Sequence, residues 1–223
     1  RAVQQDDTLM GPVVIVAVAG LLGLVAMALT PWLASLARTE SVWLTSGLHP
    51  LLATVGGAGA AAWADSVWEL VVLAMMALVS SLLVVVDLAA HRLPDVLLTP
   101  PYPIALGCFA IMGVIAGDYQ DLWRAMLAGA ALAAGYLVLA LIAPSGMGMG
   151  DVKLAGLLGI VLGWYGWEQV LTATIAAFVL GGLFSVVLLV SARANRKTQV
   201  AFGPWMIAGA VVGLLWGPVI FGA

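Results

Sequence analysis

Polar positions are few along this chain, and they gather in short clusters that cut a nearly continuous apolar sequence into eight runs. The runs cover about 11–36, 47–64, 67–88, 97–117, 122–143, 152–164, 168–192 and 203–222. A helix needs ~20 apolar residues to cross a bilayer, and most of these runs have the length. The run at 47–64 is a weaker span, rich in Gly and Ala and opening on His49-Pro50. The run at 152–164 is short for a crossing, which takes ~17 residues or more; this predicts a helix that is tilted or buried among others. Inside a bilayer the backbone must satisfy its own hydrogen bonds. The expected fold is therefore all-α: a polytopic transmembrane helix bundle of about eight spans. Residues 1–223 are expected to form a single membrane-embedded domain, with 1–10 as a polar N-terminal tail.

Composition narrows the picture further. The chain is 64% hydrophobic and 9% charged, whereas a soluble domain is about half apolar and a quarter charged. No stretch is left over for a separate soluble domain. A net charge of −3 gives no basic face for nucleic acid. The lone cysteine, Cys108, sits in an apolar run. It excludes an internal disulfide and a Cys-rich zinc site and reads as a small buried hydrophobe. The first apolar run is long enough to span, and no small-residue cleavage site follows it, so it does not read as a signal peptide.

Charge sets the expected orientation. Of the 8 basic residues, Arg38, Arg92, Lys153, Arg193, Arg196 and Lys197 fall in or beside the odd-numbered connections, and only Arg1 and Arg124 lie on the other side. Positive residues stay in the cytoplasm. The odd connections are therefore expected to face the cytoplasm, with both termini outside. The acids Asp6, Asp7, Asp65, Glu69, Asp118, Asp121 and Glu168 fall on the outer side. The tryptophans lie near span ends, as in an aromatic belt at the headgroups. The small residues of 129–135 predict close helix packing.

Two acids break the pattern. Asp87 closes the third run and Asp151 opens the sixth, both on the expected cytoplasmic side. Ionisable groups at membrane depth are costly and mark functional sites. Two carboxyl groups that meet can divide acid and base work between them. Gly146-Met147-Gly148-Met149-Gly150 precedes Asp151 and permits close backbone approach. Asp151 is placed to cap a helix N-terminus, where the dipole favours the anion. Asp87 faces the negative end of its helix, which favours its protonated form. The bland reading treats Asp87 as a headgroup charge and Gly-x-Gly-Asp as a chance match. Their shared sidedness argues against it.

Three segments resemble the type IV prepilin peptidases. Asp87 to Asp95, with His91-Arg92-Leu93-Pro94-Asp95, is similar to that family's first aspartate motif. Gly148-Met149-Gly150-Asp151-Val152-Lys153-Leu154 is similar to its Gly-x-Gly-Asp-x-Lys-Leu motif. Ala201-Phe202-Gly203-Pro204-Trp205 resembles the Pro-Phe-Gly-Pro segment opening its last span. Order and spacing fit, and the resemblance covers roughly residues 48–222. It implies an aspartyl endopeptidase without metal or other cofactor. Such an enzyme cuts the short basic leader of prepilins or pseudopilins at the cytoplasmic membrane face, after a glycine and just before a hydrophobic helix. It implies Asp87 and Asp151 as the catalytic pair. Gly148, Gly150 and Lys153 would shape the site, and Arg92 and Asp95 would support it or face substrate. For Asp95 a loop-capping role is favoured over catalysis. Glu40 and Asp95 are candidates to meet the basic leader; Arg193, Arg196 and Lys197 read as a topology signal touching anionic lipid. The longest family members carry a tetracysteine zinc insert between the first two spans and also N-methylate their product. Here that connection, 38–46, is short and has no cysteine, so peptidase activity is expected without methyl transfer.

Other readings compete. A proton-coupled secondary transporter also uses intramembrane carboxylates, but its acids would lie mid-span and its sequence would carry an inverted repeat. A presenilin-like intramembrane protease shares Gly-x-Gly-Asp, but it pairs this with Tyr-Asp and Pro-Ala-Leu; here Val86 precedes Asp87 and Phe202-Gly203-Pro204 holds the late position. A purely structural membrane subunit is the remaining alternative.

Overall fold

A computed structural model describes residues 11–37, 41–143, 147–191 and 201–221. The N-terminal tail, Arg38, Glu40, Gly146 and the basic cluster of Arg193, Arg196 and Lys197 lie outside the described residues. Within them every regular element is a helix. In chain order these are α1 (Pro12–Ala28), α2 (Thr30–Ala37), α3 (Val42–Thr45), α4 (Leu48–Trp63), α5 (Val67–Ala90), α6 (Asp95–Leu98), α7 (Pro101–Ala116), α8 (Gln120–Ile142), α9 (Met149–Tyr165), α10 (Trp167–Val190) and α11 (Gly203–Phe221).

All eight apolar runs fold as helices, so the polytopic all-α bundle stands. Their capacity to span differs. Among the described residues, five segments are long and apolar enough to cross a membrane, and α1 with α2, bent by 48°, makes a sixth if taken as one span. The helices α4 and α9 have 16 and 17 residues. At 1.5 Å per residue each reaches only about 25 Å, short of a ~30 Å hydrocarbon core.

The short α9 is the centre of the bundle. Every residue from Leu154 to Trp164 is buried, so it has no lipid-facing stripe and shows almost no amphipathic pattern. Small residues make this possible. A Cβ on Gly159 would lie 2.7 Å from the Ala128 carbonyl oxygen, and one on Gly163 would lie 3.0 Å from Ala125 Cα. The backbones of α8 and α9 therefore run in contact, as membrane helices do where glycine and alanine line the seam. Gly129, from the stretch expected to pack closely, lies in this seam; Gly135 faces open space. A second seam joins α10 to α11 through Gly209, Gly213 and Gly217 against Gln169, Ala173 and Ala177. Cys108 is free and buried.

The tryptophans end helices as expected, with one exception of environment. Trp164 ends α9 but faces inward. It is 8% exposed, stacks on Phe109 at 4.4 Å, and its indole N–H donates to the buried Glu69 carboxylate at 3.4 Å. Arg124, from α8, closes the same end of α9 by donating to the Gly163 and Trp164 carbonyls. A cation there meets the negative pole of the helix.

Candidate active site

The opposite end of α9 carries the site. Asp87 lies in the last turn of α5, only 4% exposed, and is held there by the way α5 stops. His91 adopts a left-handed conformation at φ 49° and its N–H closes on the Asp87 carbonyl at 2.8 Å. The chain thus reverses within four residues of the carboxylate. It sends Leu93 into the core, 9% exposed.

Asp151 lies at the third position of α9, because the helix starts at Met149 rather than at 152. Its carboxylate reaches back to accept the Gly148 N–H at 2.8 Å. This is the helix-capping role the sequence implies, satisfying one of the free N–H groups of the first turn. Asp151 is half-buried. A Cβ on Gly203, whose N–H holds Asp87, would lie 3.4 Å from Leu93, and one on Gly150, next to Asp151, would also meet Leu93. The two acids, from opposite helix ends, therefore share one site.

Leu93 is the wedge between the motifs. A Cβ on Gly150 would stand 2.7 Å from Leu93 Cβ and 3.0 Å from its carbonyl oxygen. Gly150 thus lets the α5–α6 connection lie directly on the start of α9. Gly148 has no such neighbour; its nearest contact would be Asp151 Oδ2 at 3.6 Å. Of the two glycines expected to shape the site, one does so by close packing and the other by its N–H.

The third motif supplies what the sequence left without a role. Gly203 N–H, at the first position of α11, donates to Asp87 Oδ2 at 3.0 Å. A Cβ there would be 2.7 Å from that oxygen, so only glycine brings the donor so near. Phe202 packs in an aromatic cluster with Tyr136 and Phe178, at centroid distances of 6.3 and 5.4 Å. Tyr136 is 4% exposed. Nothing in the sequence singled it out, beyond being the one aromatic residue in an Ala/Gly stretch of α8. Gly203 was legible only as part of a motif.

The remaining expected residues frame the site. Asp95 begins α6 and pairs with Lys153 at 2.7 Å, joining α6 to α9. Tyr102 O–H donates to the Lys153 carbonyl at 2.5 Å. Arg92 turns away from the acids and donates to the Leu36 and Ala37 carbonyls at 3.0 and 3.1 Å, capping the C-terminus of α2. Its place is thus structural. The Lys153 and Asp95 side chains are 41% and 67% exposed, and exposed pairs are worth at most about 1 kcal/mol. Lys153→Met is expected to shift the melting temperature little and to slow turnover only a few-fold. Loss of all activity with the fold intact would move Lys153 into the chemistry.

The comparisons with known proteins agree with this arrangement. The type IV leader peptidase family model matches residues 70–186, more than half the chain and including both acids. The chain is similar to a protein named prepilin leader peptidase/N-methyltransferase in Stutzerimonas stutzeri, 32% identical over 136 residues, 60% of this chain and 46% of that one. A protein of the same name in Pseudomonas aeruginosa is 29% identical over 145 residues, with the same two shares, 60% and 46%. Another, in Bacillus subtilis, is 34% identical over 103 residues, 45% of this chain and 40% of that one. The match thus spans less than half the length of these curated relatives. No solved structure matches significantly. Two carboxylates on facing helix ends, the motifs that hold them, and the family match across both lead to one assignment: this multi-pass membrane chain belongs to the type IV leader peptidase family.

Proposed function

We propose that this chain is a membrane aspartyl endopeptidase that cleaves the leader peptide of type IV prepilins or prepilin-like proteins at the cytoplasmic membrane face. The observation that carries this reading is the delivery of Asp87 and Asp151 to one site, each carboxylate oriented by a backbone N–H. In the proposed reaction one carboxylate takes a proton from water as the oxygen attacks the scissile carbonyl carbon. The other, protonated, hydrogen-bonds the carbonyl oxygen, and a proton passes to the leaving nitrogen as the C–N bond breaks. The hydrolysis needs water and the two acids only. The methyl-transfer part of the relatives' name is said of those relatives.

The same reading treats residues 1–223 as one peptidase domain of the cytoplasmic membrane, in contact with lipid, with the Asp87–Asp151 end inside and both termini outside. The basic residues support the orientation: Arg92 and Lys153 lie at the dyad end, whereas Arg124 lies at the opposite end of α9. The substrate would bring a basic leader to the aqueous side and a hydrophobic segment to the membrane side.

The test is co-expression with several prepilins, read as a mobility shift and by N-terminal sequencing. Cleavage immediately after the leader glycine is expected. Intact prepilin beside well-folded enzyme in every case would sink the proposal. The pH dependence gives a further check. A pair of interacting acids titrates as a unit, so kcat/KM should fall on the acid side as the base takes up its proton. It should fall on the alkaline side as the acid loses its own. A profile flat across both limbs would remove the dyad from the mechanism.

A further inference from the structure

The loop after Asp87 is braced by helices that lie outside the matched residues 70–186. The brace starts on α5 itself. A Cβ on Gly56 of α4 would lie 2.8 Å from Ala77 Cβ of α5, and one on Gly57 would lie 3.2 Å from Ala19 Cα of α1. These small residues bring α4 against both α1 and α5. At its C-terminal end α1 bends. Pro31 has no N–H, and its ring crowds the carbonyl four residues back, which is that of Met27. So α1 stops at Ala28, and α2 leaves at 48°. The Thr30 hydroxyl donates to the Met27 carbonyl at 2.7 Å. With its proton engaged, the Thr30 oxygen accepts from His49 Nε2–H at 2.9 Å. His49, in the first turn of α4, is 2% exposed. Leu33 and Ala37 seat α2 in the core. The far end of α2 is where Arg92 donates to the Leu36 and Ala37 carbonyls. The circuit closes: it leaves α5 at Ala77 and returns to the chain five residues past Asp87.

We propose that Arg92 is a positioning residue: through its grip on α2 it sets the place of Asp87 relative to Asp151. The inference rests on the peptidase reading above. Arg92 acts from between two points that bear on the acids. On one side the His91 N–H holds the Asp87 carbonyl; on the other Leu93 lies against Gly150 and Gly203. His91 is left-handed at φ 49°, a conformation that residues with a side chain resist. Such a residue persists only where its surroundings over-determine it, and the Arg92 anchor on the next residue supplies that constraint. The bent N-terminal hairpin is thereby part of the frame of the site.

The test cuts the brace at both ends of α2. Arg92→Met should lower kcat on a cleaved prepilin at least about ten-fold with KM within about two-fold, the mark of a displaced catalytic group rather than of lost substrate binding. Thr30→Val should lower kcat at least about three-fold, and Thr30→Ser, which keeps the hydroxyl, should stay near wild type. Thr30 and the Arg92 anchor stand about 10 Å apart along α2, a separation at which independent defects multiply. The double variant should instead be no slower than Arg92→Met alone. Multiplied losses, Arg92→Met within about three-fold of wild type, or a loss confined to KM would each overturn the inference and leave the peptidase proposal standing. A second readout needs no turnover. Amide hydrogen exchange at 88–93 should quicken at least about five-fold in Arg92→Met and in Thr30→Val, while α8 exchanges as in the wild type. Unchanged exchange at 88–93 in Thr30→Val, or exchange quickened equally throughout, overturns the brace as well. If the wild type cleaves no prepilin, the peptidase reading fails and takes the role of Arg92 in catalysis with it, while the exchange result still decides whether the brace holds the loop.

Discussion

Asp87→Asn and Asp151→Asn are each expected to bring leader cleavage down to background, a loss of at least about 10³-fold, within the range general acid–base groups supply. The double variant should be no worse than either single one, because residues that act as a unit lose their whole contribution when either is removed. Folding should survive. Asparagine keeps the shape of aspartate and one acceptor oxygen, so it can still take the Gly203 N–H at position 87 or the Gly148 N–H at position 151. It also ends the meeting of like acids in a buried place. Melting temperatures in detergent should therefore hold or rise while activity vanishes. Residual cleavage within ten-fold of wild type by either variant would break the two-acid mechanism.

Gly150→Ala is expected to cost about 10²-fold in kcat/KM, whereas Gly148→Ala should stay within about three-fold. The two glycines stand in one motif and look alike in the sequence. They differ in what a methyl group would meet. At 150 it would strike Leu93 Cβ at 2.7 Å and the Leu93 carbonyl at 3.0 Å. A backbone contact cannot be relieved by a rotamer change, so the start of α9 must move off the loop that follows Asp87. That shift separates the two carboxylates, and a displacement near 1 Å in a catalytic site costs about 10²-fold. At 148 the nearest atom is 3.6 Å away, and φ is −90°, a backbone any residue adopts. Its N–H to Asp151 is kept, and the penalty of alanine at an N-cap, about 1 kcal/mol, falls on stability. Equal losses from the two variants would refute the wedge. Steady-state kinetics on both, with melting curves, decide it.

The carboxylate pair was legible because it needs only local signals: an acid at each edge of an apolar run, glycines beside one, and matching sidedness. Helix existence was legible for the same reason, since long apolar runs leave a membrane chain no alternative. What escaped depended on approach between distant segments. Leu93 reads as one more apolar residue in a motif until Gly150 is laid against it. The Gly203 donor reaches Asp87 across 116 positions, and no periodicity announces that. Tyr136 gains meaning only from Phe178 and Phe202 packed against it. The short sixth run was correctly suspected of being buried, but its place at the centre depends on seams at Gly159 and Gly163 that become visible only when α8 is in place. Trp164 shows the opposite failure: its position at a helix end suggested headgroups, while its ring stacks in the interior.

The hydrogen bond from Gly203 to Asp87 has a consequence for the order in which the site is assembled. The chain is made from its N-terminus, so α5 and α9 leave the ribosome before α11 does. Until the last helix enters the bilayer, both acids exist but one lacks its backbone donor. On the proposed reading, the site is therefore complete only once the final helix has inserted.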